Sequence, residues 1–256
     1  MSCLIKTLNP DFIKNHTKTV ILIWILSILG QASGIMFALF LFLGSFTIID
    51  LGLSTKDALL IDAFLSIMFF LQHSIMVRRG FKQWLGKHMP DVYHNAFYGL
   101  TSAIALLMVL VFWQKSPILI ASTDGIIFWL LRALFFLCLA GFFWGVKSLG
   151  SFDSLGVKPL MRYISNRPNK PQQIIAKGPY QWSRHPLYLF VILLIWSCPL
   201  LTLDRLIFNI LWTFWIVIGT YLEDRDLHRE FGSQYLEYSS RVPMLIPYRI
   251  PGDKPV

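Results

Sequence analysis

Charged residues are scarce in this sequence. Only 14% of its 256 residues are Asp, Glu, Lys or Arg, whereas 55% are hydrophobic; an average soluble domain has about 25% charged residues. This scarcity excludes an ordinary soluble domain, and the richness in aliphatic and aromatic residues excludes a disordered chain. Apolar segments run from Val20 to Tyr221 without an interval long enough for a second globular domain. We therefore predict one integral membrane domain over residues 1–256.

Sequence motifs for metals and nucleotides are also lacking. The three cysteines, Cys3, Cys138 and Cys198, have no CxxC spacing, which argues against a disulfide framework and a cysteine zinc site. The HExxH, GxGxxG and P-loop patterns are absent as well. We therefore expect no metal and no soluble-type nucleotide fold.

Long apolar runs dominate the rest of the sequence. A bilayer core of about 30 Å needs about 20 helical residues, and four runs meet that length: Val20–Phe46, Ala58–Met76, Ala96–Trp113 and Gly125–Val146. Two shorter runs, Leu187–Leu203 and Leu206–Leu222, are separated only by Asp204 and Arg205. They predict a C-terminal helical hairpin with arms of equal length. The fold class is thus an all-α integral membrane protein with five to six transmembrane helices.

The basic residues indicate how the chain crosses the membrane. Of the 23 Lys and Arg residues, 3 precede the first run, 4 lie between the second and third, 7 fall in Lys147–Arg184 and 5 follow from Arg225. The positive-inside rule then predicts cytoplasmic termini and a cytoplasmic active site. Because the basic residues lie in short loops between apolar runs, no nucleic acid partner is expected. Arg132 lies inside the fourth run, and we expect its side chain to reach the membrane interface.

The most informative polar residues flank the predicted hairpin. Arg184 and His185 precede it in GPYQWSRHPLY, and Glu223 and Asp224 follow it. A hairpin would bring these four side chains to one depth, where opposed charges frame a pocket. A purely structural alternative stays open, in which the arginines contact lipid phosphates and tyrosines 188, 235 and 238 form an interfacial belt.

The C-terminal motifs resemble a known enzyme superfamily. RHPLY, an apolar hairpin, an acidic pair, FGSQY, then RVP in that order over residues 174–247 look like the isoprenylcysteine carboxyl methyltransferases and phospholipid methyltransferases. Upstream, QHSIMVRRGFKQW and SLGSFDSLG resemble the membrane-bound methanethiol S-methyltransferases and the related NnrU proteins. The resemblance implies methyl transfer from S-adenosylmethionine to the sulfur of a small thiol such as methanethiol, giving a thioether such as dimethyl sulfide. It implies no metal.

The resemblance also implies roles for particular residues. The cofactor-binding positions would be Gln172, Gln173, Ile174, Ile175, Tyr180, His185, Pro186, Tyr188 and Glu223. Apart from the resemblance, a basic environment from Arg184 or His185 would favour the thiolate form of the acceptor. His73 lies at the end of the second run, where it would either deprotonate a thiol or cap its helix. One position departs from the carboxyl methyltransferase pattern. Gly219 stands where those enzymes have an arginine that meets the substrate carboxylate.

Alternative functions follow from the same motifs. The acceptor could be a prenylcysteine or a lipid, although Gly219 argues against a carboxylate. The chain could also be a non-catalytic, NnrU-like accessory membrane protein. We expect residues 1–147 to form four N-terminal helices and residues 148–256 to form the cofactor-binding catalytic half, with membrane lipid around both.

Overall fold

A computed structural model describes residues 10–150, 153, 155–168 and 173–249, with side chains from His16 onward. The described elements are, in chain order, α1 Pro10–Leu43, α2 Thr55–Met76, α3 Arg79–Leu85, α4 His94–Phe112, β1 Leu119–Ser122, α5 Gly125–Leu149, α6 Val157–Ile164, α7 Pro186–Trp196, β2 Leu200–Thr202, α8 Leu203–Phe231 and α9 Ser233–Arg241. Short 3₁₀ turns cover Asp91–Tyr93 and Gly178–Gln181. Five of these described helices are long and apolar enough to cross a membrane. The predicted all-α membrane fold is confirmed.

The four long apolar runs fold as expected, with helix ends within a few residues of the expected positions except at the start of α1. Glycine, proline and polar residues around each run stop the helices where the apolar pattern stops. The helix α1 begins ten residues before the apolar run, and its backbone departs from helical geometry at His16 (φ −120°, ψ 18°). The membrane-length part of this helix is His16–Leu43.

The C-terminal pair differs from the predicted hairpin of equal arms. Helix α7 has only 11 residues, whereas α8 has 29. Asp204 and Arg205 were expected to form the connection, but they lie in the first turn of α8. The chain turns earlier, at residues 197–202, where β2 pairs antiparallel with β1. The reversal is earlier because β2 takes its hydrogen bonds from β1, so its residues are not available to extend α7.

Chain contacts divide the described residues into two units. The first contains residues 10–36, 71–107, 153 and 155–168, and the second contains residues 37–70, 108–150 and 173–249. Each unit draws on both the N-terminal and the C-terminal part of the chain. The predicted assignment of the catalytic half to residues 148–256 stays a prediction.

In the first unit, small residues let the chain segment after α5 pack against the helices. A Cβ on Gly99 of α4 would lie 2.7 Å from the carbonyl oxygen of Leu155, and a Cβ on Gly30 of α1 would overlap the Leu155 side chain. Gly156 follows with φ +70°, a left-handed conformation that favours glycine. Leu155 is therefore held between two helices at positions where only glycine leaves room.

In the second unit, arginine side chains bind the free carbonyls at the end of α1. Arg205 is fully buried and donates from Nη1 to the Phe40 carbonyl at 2.9 Å. Arg132 donates to the Phe42 carbonyl and lies over the Phe42 ring. Cations suit a helix C-terminus because its last carbonyls lack partners within the helix. The expectation that Arg132 reaches the membrane interface stays a prediction.

Candidate active site

Backbone hydrogen bonds fix the segment that precedes α7. The amide of Arg184 donates to the Pro243 carbonyl at 2.9 Å, and the amide of His185 donates to the Met244 carbonyl at 3.1 Å. Pro186 is the first residue of α7, where its fixed φ suits helix initiation and its missing amide hydrogen costs nothing. The RHP and RVPM motifs are thus parts of one structural unit, although they are far apart in sequence.

The Asp224 carboxylate is the centre of a buried polar cluster. Arg184 donates to it from Nε and Nη2, each at 2.8 Å. His185 Nε2 lies 3.2 Å from Asp224 Oδ1, and the Tyr235 hydroxyl donates to the same oxygen at 2.7 Å. Asp224 is 8% exposed and His185 5% exposed. Such paired, shielded hydrogen bonds hold the Arg184 side chain in one geometry.

Arg184 makes two further hydrogen bonds, and Tyr235 keeps its proton. Arg184 Nη1 donates to the carbonyls of Ser239 at 3.0 Å and Val242 at 2.8 Å. Burial, and then the hydrogen bond to Asp224, raises the pKa of Tyr235, so that its hydroxyl stays protonated and donates to the carboxylate. Arg184 therefore joins α8 to the end of α9.

Glu223 lies beside this cluster but points to a different environment. Its carboxylate accepts a hydrogen bond of 2.5 Å from the Tyr188 hydroxyl. Glu223 is exposed, whereas Tyr188 is half-buried. Successive helical residues point about 100° apart, which separates exposed Glu223 from buried Asp224. The Tyr188 ring stacks on His185 with the planes 18° apart. The exposed Glu223 carboxylate is thus connected to the buried cluster through Tyr188, whose ring stacks on His185.

Tyr180 and Tyr238 complete this side of the site. The Tyr238 hydroxyl donates to the Tyr180 carbonyl at 2.6 Å. Burial, and then the nearby Tyr238 and Glu223 groups, raises the pKa of Tyr180. Tyr180 follows Gly178, whose φ of +58° and close approach to Ser148 leave no room for a side chain. Glycine at 178 therefore permits the turn that presents Tyr180.

The structure brings most of the predicted residues of this half together. Arg184, His185 and Asp224 meet as expected, and Tyr188 meets Glu223. Gln173, Ile174 and Ile175 lie in an irregular segment before the turn that carries Tyr180. Gln172 lies outside the described residues. The role of this strip in cofactor binding stays a prediction.

His73 belongs to the first unit and has its own partner. The Tyr98 hydroxyl lies 2.7 Å from His73 Nε2 and 3.0 Å from Nδ1. Tyr98 also lines a cavity of about 180 Å³ together with apolar Met76, Phe81 and Leu85. The histidine thus contacts a hydroxyl at the edge of a small, mainly apolar cavity.

Sequence reasoning missed two features of these sites. Asp224, rather than Glu223, receives the Arg184 side chain, and two adjacent acidic residues cannot be told apart without knowing which one faces the interior. Tyr235 was considered only as part of an interfacial belt, yet it is 2% exposed and bonded to Asp224. The belt alternative is therefore wrong for Tyr235. The only available signal was its place in FGSQY.

Among the described residues, five membrane-length helices define a multi-pass integral membrane protein, and its C-terminal part holds a buried ionic cluster beside an exposed carboxylate. Known proteins narrow the class. The chain is 32% identical over 211 residues to methanethiol S-methyltransferase 2 of Bradyrhizobium diazoefficiens, covering 80% of this chain and 82% of that protein. It is 36% identical over 209 residues to methanethiol S-methyltransferase of a Pseudomonas species, covering 77% and 76%. The chain belongs to the methanethiol S-methyltransferase family.

A more distant similarity extends to an animal protein. The chain is 24% identical over 175 residues to nurim of Rattus norvegicus, covering 65% of this chain and 66% of that protein. No family model matches the chain. No solved structure matches it either.

Proposed function

We propose that this protein transfers a methyl group from S-adenosylmethionine to the sulfur of a small thiol such as methanethiol, giving a thioether such as dimethyl sulfide. The observation that carries the proposal is the exposed Glu223–Tyr188 pair, supported by the buried Asp224 cluster. The methanethiol S-methyltransferase names of its relatives support the reaction class. The resemblance to NnrU proteins stays a prediction.

The donor side of the site is assigned to Glu223, Tyr188, Tyr180, His185 and Pro186. An exposed carboxylate beside a phenol hydroxyl suits a ligand that carries an ammonium group and hydroxyls, since charge-assisted hydrogen bonds are the stronger kind. S-adenosylmethionine has both kinds of group and, when bound, supplies an electrophilic methyl on a sulfonium. The Tyr188 hydroxyl and the stacked His185 ring keep the Glu223 carboxylate in place.

Arg184 and His185 were predicted as catalytic residues, and we now assign Arg184 a positioning role. Its Nε, Nη1 and Nη2 groups all donate to the Asp224 carboxylate or to main-chain carbonyls. A guanidinium held in this way fixes the turn that carries His185 and Pro186. His185 remains the candidate that touches the cofactor, because its ring contacts both Asp224 and Tyr188.

For the acceptor, His73 stays the candidate base, and its partner Tyr98 lines a cavity within the first unit. A thiol must lose its proton before its sulfur becomes a strong nucleophile, and a neutral imidazole is a suitable proton acceptor. The adjacent cavity of about 180 Å³ is large enough for a thiol with a few heavy atoms. Gly219 supports an uncharged acceptor, since no cationic side chain stands one turn before Glu223.

The proposal includes an orientation. Cytoplasmic termini and a cytoplasmic Glu223 site follow from the distribution of Lys and Arg among the loops. A soluble methyl donor could then reach the site from the cytoplasm, while membrane lipid surrounds the helices.

Purified protein in detergent provides the test of this function. It would be incubated with methyl-labelled S-adenosylmethionine and methanethiol, and labelled dimethyl sulfide would be measured in the headspace. We expect product that depends on both substrates. If the protein methylated a prenylcysteine or a phospholipid but no thiol, the proposed acceptor would be wrong. If calorimetry detected no binding of S-adenosylmethionine, the non-catalytic accessory alternative would be favoured.

A further inference from the structure

Buried polar side chains also lie between α2 and α8, within the second unit and apart from the proposed methyl-transfer residues. Asp62 and Ser66, one turn apart on α2, are 0% exposed, and Asn209 on α8 is 1% exposed. The Trp212 indole donates to Ser66 Oγ at 3.2 Å, and its ring stacks on Phe69. Asp62 bonds to the main-chain amide of Gln114 and Asp204 bonds to the adjacent Trp113 indole, so the start of α8 lies at the Asp62 end of α2. Asn209 precedes Trp212 by about one turn and therefore lies toward Asp62.

Two oxygens of these residues lack hydrogen-bond partners. Asp62 Oδ1 accepts a hydrogen bond from the main-chain amide of Gln114 at 2.9 Å. Asp62 Oδ2 and Asn209 Oδ1 are buried and have no partner among the described residues. A buried polar atom without a partner is costly, and an ionised carboxylate without one is far more so. A proton on Asp62, a water or a cation must satisfy these two oxygens.

When Asp62 is ionised, the charges around it leave one negative charge unbalanced. Asp204 accepts from the Trp113 indole and the Ser116 amide, each at 2.9 Å, and adjoins Arg205 in sequence. The Arg205 Nη groups donate to carbonyls, including that of Ile195 at 3.2 Å. Asp204 and Arg205 balance each other in charge, whereas Asp62 has no cation among its hydrogen-bond partners in the described chain.

We propose that a monovalent alkali cation, with Na⁺ as its natural form, binds between Asp62 Oδ2 and Asn209 Oδ1, with Ser66 Oγ as a third ligand. Carboxylate, amide and hydroxyl oxygens are the hard donors that such ions take. Ser66 Oγ accepts one bond from Trp212 and has a second lone pair for an ion. A single surplus charge matches a monovalent ion.

A polar pocket gives this site a route to solvent. A cavity of about 310 Å³ is lined by Asp50, Ala58, Gln114 and Ser116, among others. Ala58 precedes Asp62 by one helical turn, and the Gln114 amide is the one bonded to Asp62. The pocket therefore comes within one helical turn of Asp62, and Asp50 and Lys115 give its lining one charge of each sign.

Thermal unfolding of the full chain in detergent tests the proposal. NaCl would be titrated against N-methyl-D-glucamine chloride at constant ionic strength, so that only the small cation changes. Because a ligand that binds the folded state raises the unfolding temperature, we expect a saturable rise of roughly 2 to 6 °C with sodium. Equal unfolding temperatures in the two salts would overturn the site.

Variants separate a specific ion from general screening. Asp62→Asn removes the surplus charge, so this variant should lose the sodium response while remaining folded without sodium. Ser66→Ala removes one ligand and should shift the sodium midpoint upward about 10-fold, a second measurement should Asp62→Asn not fold. Asp57→Asn is the matched control, because it changes an exposed carboxylate in the first turn of α2, where Asp57 accepts a hydrogen bond from Ser54. This variant should keep the full response to sodium. A response that survives both Asp62→Asn and Ser66→Ala would overturn the assignment.

Discussion

Two adjacent acidic residues, Glu223 and Asp224, have different surroundings and therefore different consequences when changed. Asp224 accepts hydrogen bonds from Arg184 and Tyr235 within a shielded cluster. Glu223 accepts from Tyr188 at an exposed position. A change at Asp224 should act on folding, and a change at Glu223 should act on ligand binding.

Replacing Glu223 with Gln should weaken S-adenosylmethionine binding. Loss of a charged hydrogen-bond acceptor costs about 1 to 2 kcal/mol, or roughly 5- to 30-fold in affinity. Calorimetry on detergent-solubilised protein would measure the change. Glu237→Gln is a suitable control because Glu237 is exposed and pairs with Arg241. An unchanged affinity for Glu223→Gln would remove Glu223 from the site.

Replacing Asp224 with Asn should destabilise the fold. Removing one partner of a buried ion pair leaves the other charge unpaired, at a cost on the order of 3 kcal/mol. Asp226→Asn is the matched control two residues away, because Asp226 forms a longer and more exposed ion pair with Arg229. Thermal unfolding should shift for Asp224→Asn alone. Similar unfolding temperatures for both variants would contradict a structural role for the cluster.

Replacing His73 with Gln should slow thiol methylation while leaving cofactor affinity unchanged. Loss of a general base commonly reduces turnover by about 10²- to 10⁴-fold. Headspace measurement of the thioether, paired with calorimetry, separates the two effects. His88→Gln is the control, since His88 is exposed and bonded to the Trp84 carbonyl. Equal turnover in both variants would leave His73 as a helix-end residue.

At the scale of elements, glycines determine which segments can pack on the helices. Gly99→Ala should destabilise the protein by roughly 1 to 3 kcal/mol, because its Cβ would meet the main chain of Leu155. Gly34→Ala is the control within a helix, since its Cβ meets nothing within 4 Å, and it should be neutral or stabilising by up to about 1 kcal/mol. Thermal unfolding of both would measure the difference, and equal effects would contradict the packing of Leu155.

The helices also show which parts of the fold the sequence can predict. The long helices were predictable because each depends on a local property, a run of about 20 apolar residues. Helix α7 was not, because its end at Trp196 depends on pairing between β1 and β2, which lie far apart in the chain. The meeting of Arg184 with Asp224 was half predictable. The motif order placed both residues at the site, but only tertiary packing selects Asp224 over Glu223.

At the scale of the whole molecule, the distribution of basic residues predicts one orientation in the membrane. In a background without native cysteines, His88→Cys should react with an impermeant maleimide only after cell lysis, and Lys115→Cys should react in intact cells. Both native residues are exposed in the structure. The reversed labelling pattern would contradict a cytoplasmic Glu223 site.

The short helix α7 has a further consequence. His185 and Ile195 are 10 residues apart, about 15 Å along a helix, whereas the α8 residues that bind near them, Asp224 and Arg205, are 19 residues apart, about 28 Å. Two guanidinium groups close most of that difference, Arg184 by reaching Asp224 and Arg205 by reaching the Ile195 carbonyl. Helix α7 therefore has a fixed length, because an arginine side chain links each of its ends to α8 by hydrogen bonds. One inserted turn would lengthen α7 by about 5.4 Å and weaken the hydrogen bonds of both arginines. It would displace His185 from Asp224 without altering a single residue of the site.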